Sequence, residues 1–183
     1  MVEGVARLEA VFSRLVSLGD FADAITGRIE ATAQERGQLT ELFRIQSLGR
    51  FTFDYKLQPV GTDRAHLSGK IRAELTQLCI VTLEPVPEMV DETVSIACWP
   101  EKQIASEEAA APQADPQGLP ADPPAPIVNG RINVGALAGE IQANAINPYP
   151  RKDGAEFAWG DPKDEDGQAL GPFAELAKLK SKR

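Results

Sequence analysis

One histidine and two cysteines, His66, Cys79 and Cys98, are the residues of this chain best suited to general-base, nucleophilic or metal-binding chemistry. No serine or cysteine stands at a suggestive spacing from His66, and a lone histidine on the polar side of a strand is ordinarily solvated. A closed zinc site takes four nitrogen or sulfur ligands, which these three residues do not supply. Both cysteines therefore read as small buried hydrophobes with free thiols. There is no Gly-x-x-x-x-Gly-Lys-Ser/Thr phosphate loop and no Gly-x-Gly-x-x-Gly after a strand. A hydrolase would need carboxylates gathered around a metal, whereas the acids here concentrate in loops and in residues 101–126. The expectation is a protein with no catalytic residue, no metal and no cofactor.

The cations offer a different chemistry, contact with RNA phosphates. Arg50, Lys70 and Arg72 fall on the polar sides of two strands, and Lys178, Lys180, Lys182 and Arg183 form a basic tail. The whole chain has a net charge of −8. Phosphate binding draws its affinity from cations that release counterions, so non-specific coating of nucleic acid, DNA included, is excluded and only a narrow RNA contact stays open. The competing reading is an ion-paired sheet face. A register that opposes Asp54 to Lys70 also opposes Arg50 to Glu74 and lays Tyr55 over Gly69. Each such charge pair contributes about 0.2–1 kcal/mol.

These side chains sit on elements legible from periodicity. From Ala65 the odd positions Leu67, Ile71, Ala73, Leu75, Cys79 and Val81 are apolar and the even ones begin polar, a period of two that predicts a long half-buried strand running to Val86. Phe51, Phe53, Tyr55 and Leu57 alternate in the same way within 45–58, and Pro59–Asp63 turns one strand into the other. A hairpin through Glu84–Met89 leads to a strand over Val90–Trp99, setting Cys79 opposite Val94 and Cys98 opposite Leu75. Residues 25–31 read as a further strand. Thr32 with Glu35 forms a capping box for a helix over 33–44 with Leu39, Leu42 and Phe43 on its apolar stripe. Asn133 caps a helix over 134–146 whose stripe is Val134, Leu137, Ala138, Ile141 and Ala145, and Pro148 ends it. Val5, Leu8, Phe12 and Leu15 suit a helix while 12–16 also suits a strand, so the first element stays open between the two.

Residues 103–126 hold six prolines and seven alanines and almost no large apolar side chain, which predicts a disordered insert. Residues 153–171 read as a second flexible stretch, and 172–183 as a short helix with the basic tail. The fold class expected is α+β: one domain over 1–150 with a mainly antiparallel sheet of meandering strands and flanking helices. The acidic start, two cysteines and absence of any long apolar run predict a cytoplasmic protein that does not enter a membrane.

Gln77-Leu78-Cys79-Ile80-Val81-Thr82-Leu83-Glu84-Pro85-Val86 resembles the strand–turn signature of the YceD family, the large ribosomal RNA subunit accumulation proteins of bacteria and plastids, with its alphaproteobacterial branch nearest. Glu30-Ala31 followed by Glu35-Arg36, then Ile146–Arg151, then Pro172–Leu176 agree in order and spacing. Val81 and Thr82 stand where the broad family pattern has an arginine and a second cysteine. The resemblance implies a non-enzymatic factor in ribosome biogenesis that supports 23S rRNA accumulation and large-subunit assembly. Its partner would be a large-subunit precursor, met through 23S rRNA, a ribosomal protein or an assembly factor. A protein-only adaptor without RNA contact is the alternative. The candidate partner-binding residues are Glu84, Pro85, Pro148, Tyr149, Pro150, Arg151, Phe173 and Leu176, short exposed motifs with apolar anchors. Oligomeric state is open.

Overall fold

A computed structural model describes residues 2–19, 23–110 and 123–156. The chain divides into two units, Met1–Lys152 and Asp153–Arg183. In chain order the first unit contains α1 (Val2–Val11), β1 (Leu15–Ser17), β2 (Ile25–Glu30), α2 (Ala33–Phe43), β3 (Ser47–Val60), β4 (Arg64–Leu78), β5 (Pro85–Pro100), α3 (Glu101–Ala110), β6 (Ala125–Ile127), β7 (Arg131–Asn133) and α4 (Val134–Ala145). Five strands form one sheet in the order β2-β3-β4-β5-β6, antiparallel except for the short β5–β6 pair. β1 and β7 form a separate antiparallel pair. The architecture is α+β with a mainly antiparallel sheet, as the alternation requires. No helix among the described residues is long and apolar enough to cross a membrane.

The register of β3 on β4 follows from keeping two apolar faces together. Phe53 lies opposite Ile71, Leu57 opposite Leu67 and Phe51 opposite Ala73, and all of these are buried. A slip of one residue would turn that whole set into solvent. α1, α2 and α4 close over this face, where the ring centroids of Phe12 and Phe51 lie 5.2 Å apart. The same register opposes Asp54 to Lys70, Arg50 to Glu74 and Tyr55 to Gly69, as expected. The aromatic cover is arranged differently. The Tyr55 ring lies over Gly27, where a Cβ would come within 2.5 Å of its hydroxyl, and Phe53 reaches over Gly69.

The N-terminal ambiguity resolves into both elements, α1 and then β1. Arg14 holds them to the rest: its guanidinium pairs with Glu35 at 2.8 Å, its N–H donates to Asn133 Oδ1, and its carbonyl accepts from Val134 N–H. The Thr32–Glu35 capping box is formed. The α4 stripe is rotated from its predicted position, with Gly135, Ala136, Ala138, Gly139 and Gln142 buried and Leu137 and Ile141 only partly so. Small residues explain the rotation. A Cβ on Gly135 would meet Phe12 O at 2.7 Å and Arg14 N at 2.8 Å, so the chain following α1 packs directly against the α4 backbone.

Further expectations are corrected. The long strand stops at Leu78, and the turn into β5 spans Cys79–Glu84 and not Glu84–Met89. Cys98 consequently faces Ala65, not Leu75. Part of the expected insert is ordered, since Glu101–Ala110 is helical and Ala125–Ile127 pairs with β5, while residues 111–122 lie outside the described residues. Alanine and glutamate favour helix, and the β5–β6 pair supplies main-chain partners that composition does not reveal. The expected flexible stretch over 153–171 lies outside the described residues beyond Glu156, and the helix expected over 172–183 lies wholly outside them.

Two substitutions test this packing. Gly69→Ala drives a methyl into the Asp54 carbonyl oxygen, and we expect a loss of about 1–3 kcal/mol in urea unfolding. Gln142 is fully buried, and neither its amide oxygen nor its nitrogen has a partner among the described residues. Gln142→Met keeps a similar volume without the desolvated amide and should raise stability by about 1–3 kcal/mol.

Candidate functional site

Two of the sequence motifs meet at the end of the β4–β5 hairpin. Cys79 N–H donates to Glu84 O at 2.8 Å and Leu83 N–H to Cys79 O at 2.9 Å, closing the six-residue turn. Leu83 takes a left-handed conformation with φ 59°, uncommon for a branched apolar residue, and its side chain is 71% exposed. The segment after α4 runs across the hairpin. Ile80 N–H donates to Pro150 O at 2.9 Å, and Lys152 Nζ pairs with Glu84 Oε2 at 2.8 Å. Further along, Gln77 Nε2 donates both to Glu88 Oε2 at 2.6 Å and to Asn147 O at 3.0 Å. Asn147 N–H donates back to Glu88 Oε1, and Tyr149 N–H to Asn147 Oδ1. The strap Asn147–Lys152 is thus bonded to the hairpin at both of its ends.

The Cys79 sulfur is the hub of this turn. It is enclosed, and the backbone N–H groups of Val81, Thr82 and Lys152 each donate to it from 3.4 Å. The Lys152 N–H, with the hydroxyl and N–H of Thr82, lowers its pKa from the ordinary 9.0 to about 6, against a smaller opposing effect of burial beneath a thin loop. Cys98 differs. It lies in the core, where burial pushes its thiol up to about 11. Both thiols are free, as expected. Cys79 is more than the small hydrophobe its sequence context suggested, since its sulfur terminates three main-chain donors. The Lys152 bond also holds Glu84 below, and Lys152 above, their ordinary values.

Among the candidate partner-binding residues, Glu84 bonds Lys152 and Pro150 bonds Ile80, so the two motifs lie together although more than 60 positions separate them. Pro150 is buried and contributes its carbonyl, Tyr149 is 72% exposed, and Pro148 lines a cavity with Leu42, Phe43, Ala143 and Ile146. Ile80 and Leu83 join Tyr149 as exposed apolar side chains at this hairpin end. Phe173 and Leu176 lie outside the described residues. So do Lys178, Lys180, Lys182 and Arg183.

Of the remaining RNA-contact candidates on the open face of the sheet, Lys70 and Arg72 are bound into a ladder across four strands. Arg28 approaches Asp54 at 3.6 Å, and Arg72 bonds Asp54 at 2.9 Å and approaches Asp91 at 3.8 Å. Lys70 bonds Asp91 at 2.7 Å. The expected Asp54–Lys70 pair shares a register position but is replaced by the diagonal Asp54–Arg72 bond, because Asp91 of β5 takes the lysine. Arg50 stands opposite Glu74.

Sequence reasoning missed Gln77, Glu88, Asn147 and Lys152. Gln77 had a signal: it is the one amide that interrupts the apolar odd-numbered series, and it is nearly buried. Lys152 has none, since its role follows from where the strap crosses the turn. No family model, curated protein or solved structure matches this chain.

The two thiols give a direct test. Thiolate absorbance near 240 nm should titrate in two steps, near pH 6 for Cys79 and near pH 11 for Cys98. Because the folded value of Cys79 is depressed, its contribution to stability is complete above pH 9, the unfolded value. It declines as pH falls and is lost below about 6. Urea midpoints of Cys79→Ala should lack the rise between pH 6 and 9 that the unsubstituted chain shows.

Proposed function

We propose that this protein is a cytoplasmic, non-enzymatic ribosome-biogenesis factor that supports 23S rRNA accumulation and large-subunit assembly, and that the hairpin end is the surface through which it acts. The observation that carries the reading is the union of two motifs. The Gln77–Val86 segment and the Ile146–Arg151 segment, each resembling the YceD family, lie against one another and share hydrogen bonds through Ile80, Pro150, Gln77 and Asn147. A pair of motifs that resemble one family and meet in space fits a shared surface better than two unrelated turns. Exposed Ile80, Leu83 and Tyr149, framed by the Glu84–Lys152 pair, have the make-up of a small binding patch: apolar and aromatic anchors within a polar rim.

The ion ladder favours one form of this reading. Lys70 and Arg72 are already bonded to Asp54 and Asp91, so RNA phosphates would have to displace those acids. That supports contact through a protein of the large-subunit precursor, the adaptor form, over contact with 23S rRNA itself.

Cells lacking the protein should contain less 23S than 16S rRNA and fewer mature large subunits. Complementation by Leu83→Asp/Tyr149→Ala, with folding checked by circular dichroism, should fail where the unsubstituted gene succeeds. A normal 23S to 16S ratio in the null strain would defeat the reading. Affinity purification from native lysate separates its two forms: nuclease treatment should leave the captured protein partner in place if the adaptor form holds, and release it if RNA is the bridge.

A further inference from the structure

The outer edge of β5 is a second surface, distinct from the hairpin end. β6 pairs with β5 only at Cys98, Trp99 and Pro100, which leaves Pro85–Ala97 without a strand neighbour on that side among the described residues. The direction of its main-chain groups can be worked out. Cys79 N–H bonds Glu84 O, so Cys79 and Glu84 are a hydrogen-bonded pair, and the β4–β5 register continues from there without a bulge. Such pairs recur every second residue, so Val86, Glu88, Val90, Glu92 and Val94 turn their main chain toward β4. The odd residues turn theirs outward. Pro85 and Pro87 agree, since a proline has no N–H to give the ladder and is tolerated where that position faces away. Beyond them, Met89, Asp91, Thr93 and Ser95 present outward N–H and C=O groups in succession, all on exposed residues.

The charge on this strand selects the occupant. β5 carries Glu88, Asp91 and Glu92 and neither lysine nor arginine; Asp91 already pairs with Lys70 and Arg72, and Glu88 with Gln77 and Asn147, so Glu92 is the carboxylate with no bonded partner among the described residues. Glu92 stands opposite buried Ile71 yet is itself exposed, a carboxylate on the core-facing side of an edge. A charge so placed disfavours pairing with a like edge. A second copy paired antiparallel with Glu92 opposite its own counterpart would set two like charges against one another, which is destabilising. We propose that the β5 edge from Met89 to Ser95 binds an extended, basic segment of a partner polypeptide by strand addition. Its main chain would bond the outward groups of Met89, Asp91, Thr93 and Ser95, with a cation beside Glu92. The inference stands whether or not the hairpin end serves ribosome assembly, because the two surfaces share no residue.

The test uses the full chain and a capped, fluorophore-labelled peptide, Lys-Val-Lys-Val-Lys-Val-Lys. Fluorescence anisotropy should show binding that weakens with salt, and amide hydrogen exchange should slow at Met89, Asp91, Thr93 and Ser95 on peptide addition. Thr93→Pro removes an outward N–H without removing a β4 bond and should weaken binding at least tenfold. Glu92→Lys leaves the main chain intact and should weaken it at least threefold. Replacing the peptide lysines with glutamates should abolish binding. Unchanged exchange at the four amides, or unchanged affinity in a folded Thr93→Pro protein, would overturn the proposal. Protection of those amides in the free chain would overturn it too: concentration-independent protection would identify a segment of this chain as the occupant, and protection that grows with protein concentration a second copy.

Discussion

Three strands of 14, 15 and 16 residues must share one register, and most of the molecule depends on that alignment. Their apolar faces coincide only when Phe53 meets Ile71 and Leu67 meets Leu57 and Ile96. Each large side chain so buried contributes about 1.5–3 kcal/mol, which outweighs any single polar contact on the other face. The helices then have one surface to cover. Gly135 and Gly139 let the α1 region close on α4, and Phe12 closes on Phe51. The charge ladder is a consequence of the same alignment, since it forms wherever Arg28, Asp54, Arg72, Asp91 and Lys70 happen to come abreast.

The length of the hairpin carries its turn to the end of α4, where the chain leaves the helix and crosses it. That crossing makes the turn more than a connector. An exposed hairpin end would leave the N–H groups of Ile80 and Val81 to solvent. Here the Pro150 carbonyl and the Cys79 sulfur take them. The sulfur suits this position because a polarisable anion accepts several long donors at once, and Thr82 supplies one of them. Strap and turn thereby stiffen one another. A patch presented by a stiffened pair of segments loses less conformational entropy on binding than one presented by a free loop.

Electrostatics divides the molecule's surfaces by partner. On the open sheet face Arg28, Lys70 and Arg72 are matched to acids and remain half exposed, so each pair is worth little to stability but reduces the field a phosphate would meet. The β5 edge differs, with the exposed Glu92 carboxylate beside a row of outward main-chain groups. The hairpin end is apolar within a single ion pair. Charge on the described surfaces is therefore not a uniform coat but a pattern of paired and unpaired groups.

The elements whose residues repeat at a fixed period were legible in the sequence: the alternation in β3 and β4, their register, and the capped helices α2 and α4. Local chemistry determines each of these, through the two-residue pleat, the Thr32–Glu35 box and the Asn133 cap. What only the tertiary structure decided depends on residues far apart in the chain. The turn moved from Glu84–Met89 to Cys79–Glu84 because Gln77 found Glu88 and Asn147, and the strap supplied donors and acceptors across it. The buried stripe of α4 rotated because Gly135 and Gly139 admit the chain that follows α1 and the Leu8 side chain, neighbours that the α4 sequence by itself does not name. Lys70 took Asp91 in place of Asp54 because β5 lay alongside. The sequence names the groups able to form these bonds. Which partner each one meets is set by chain packing, where the cost of leaving a buried donor or acceptor unpaired selects among arrangements that periodicity leaves equal.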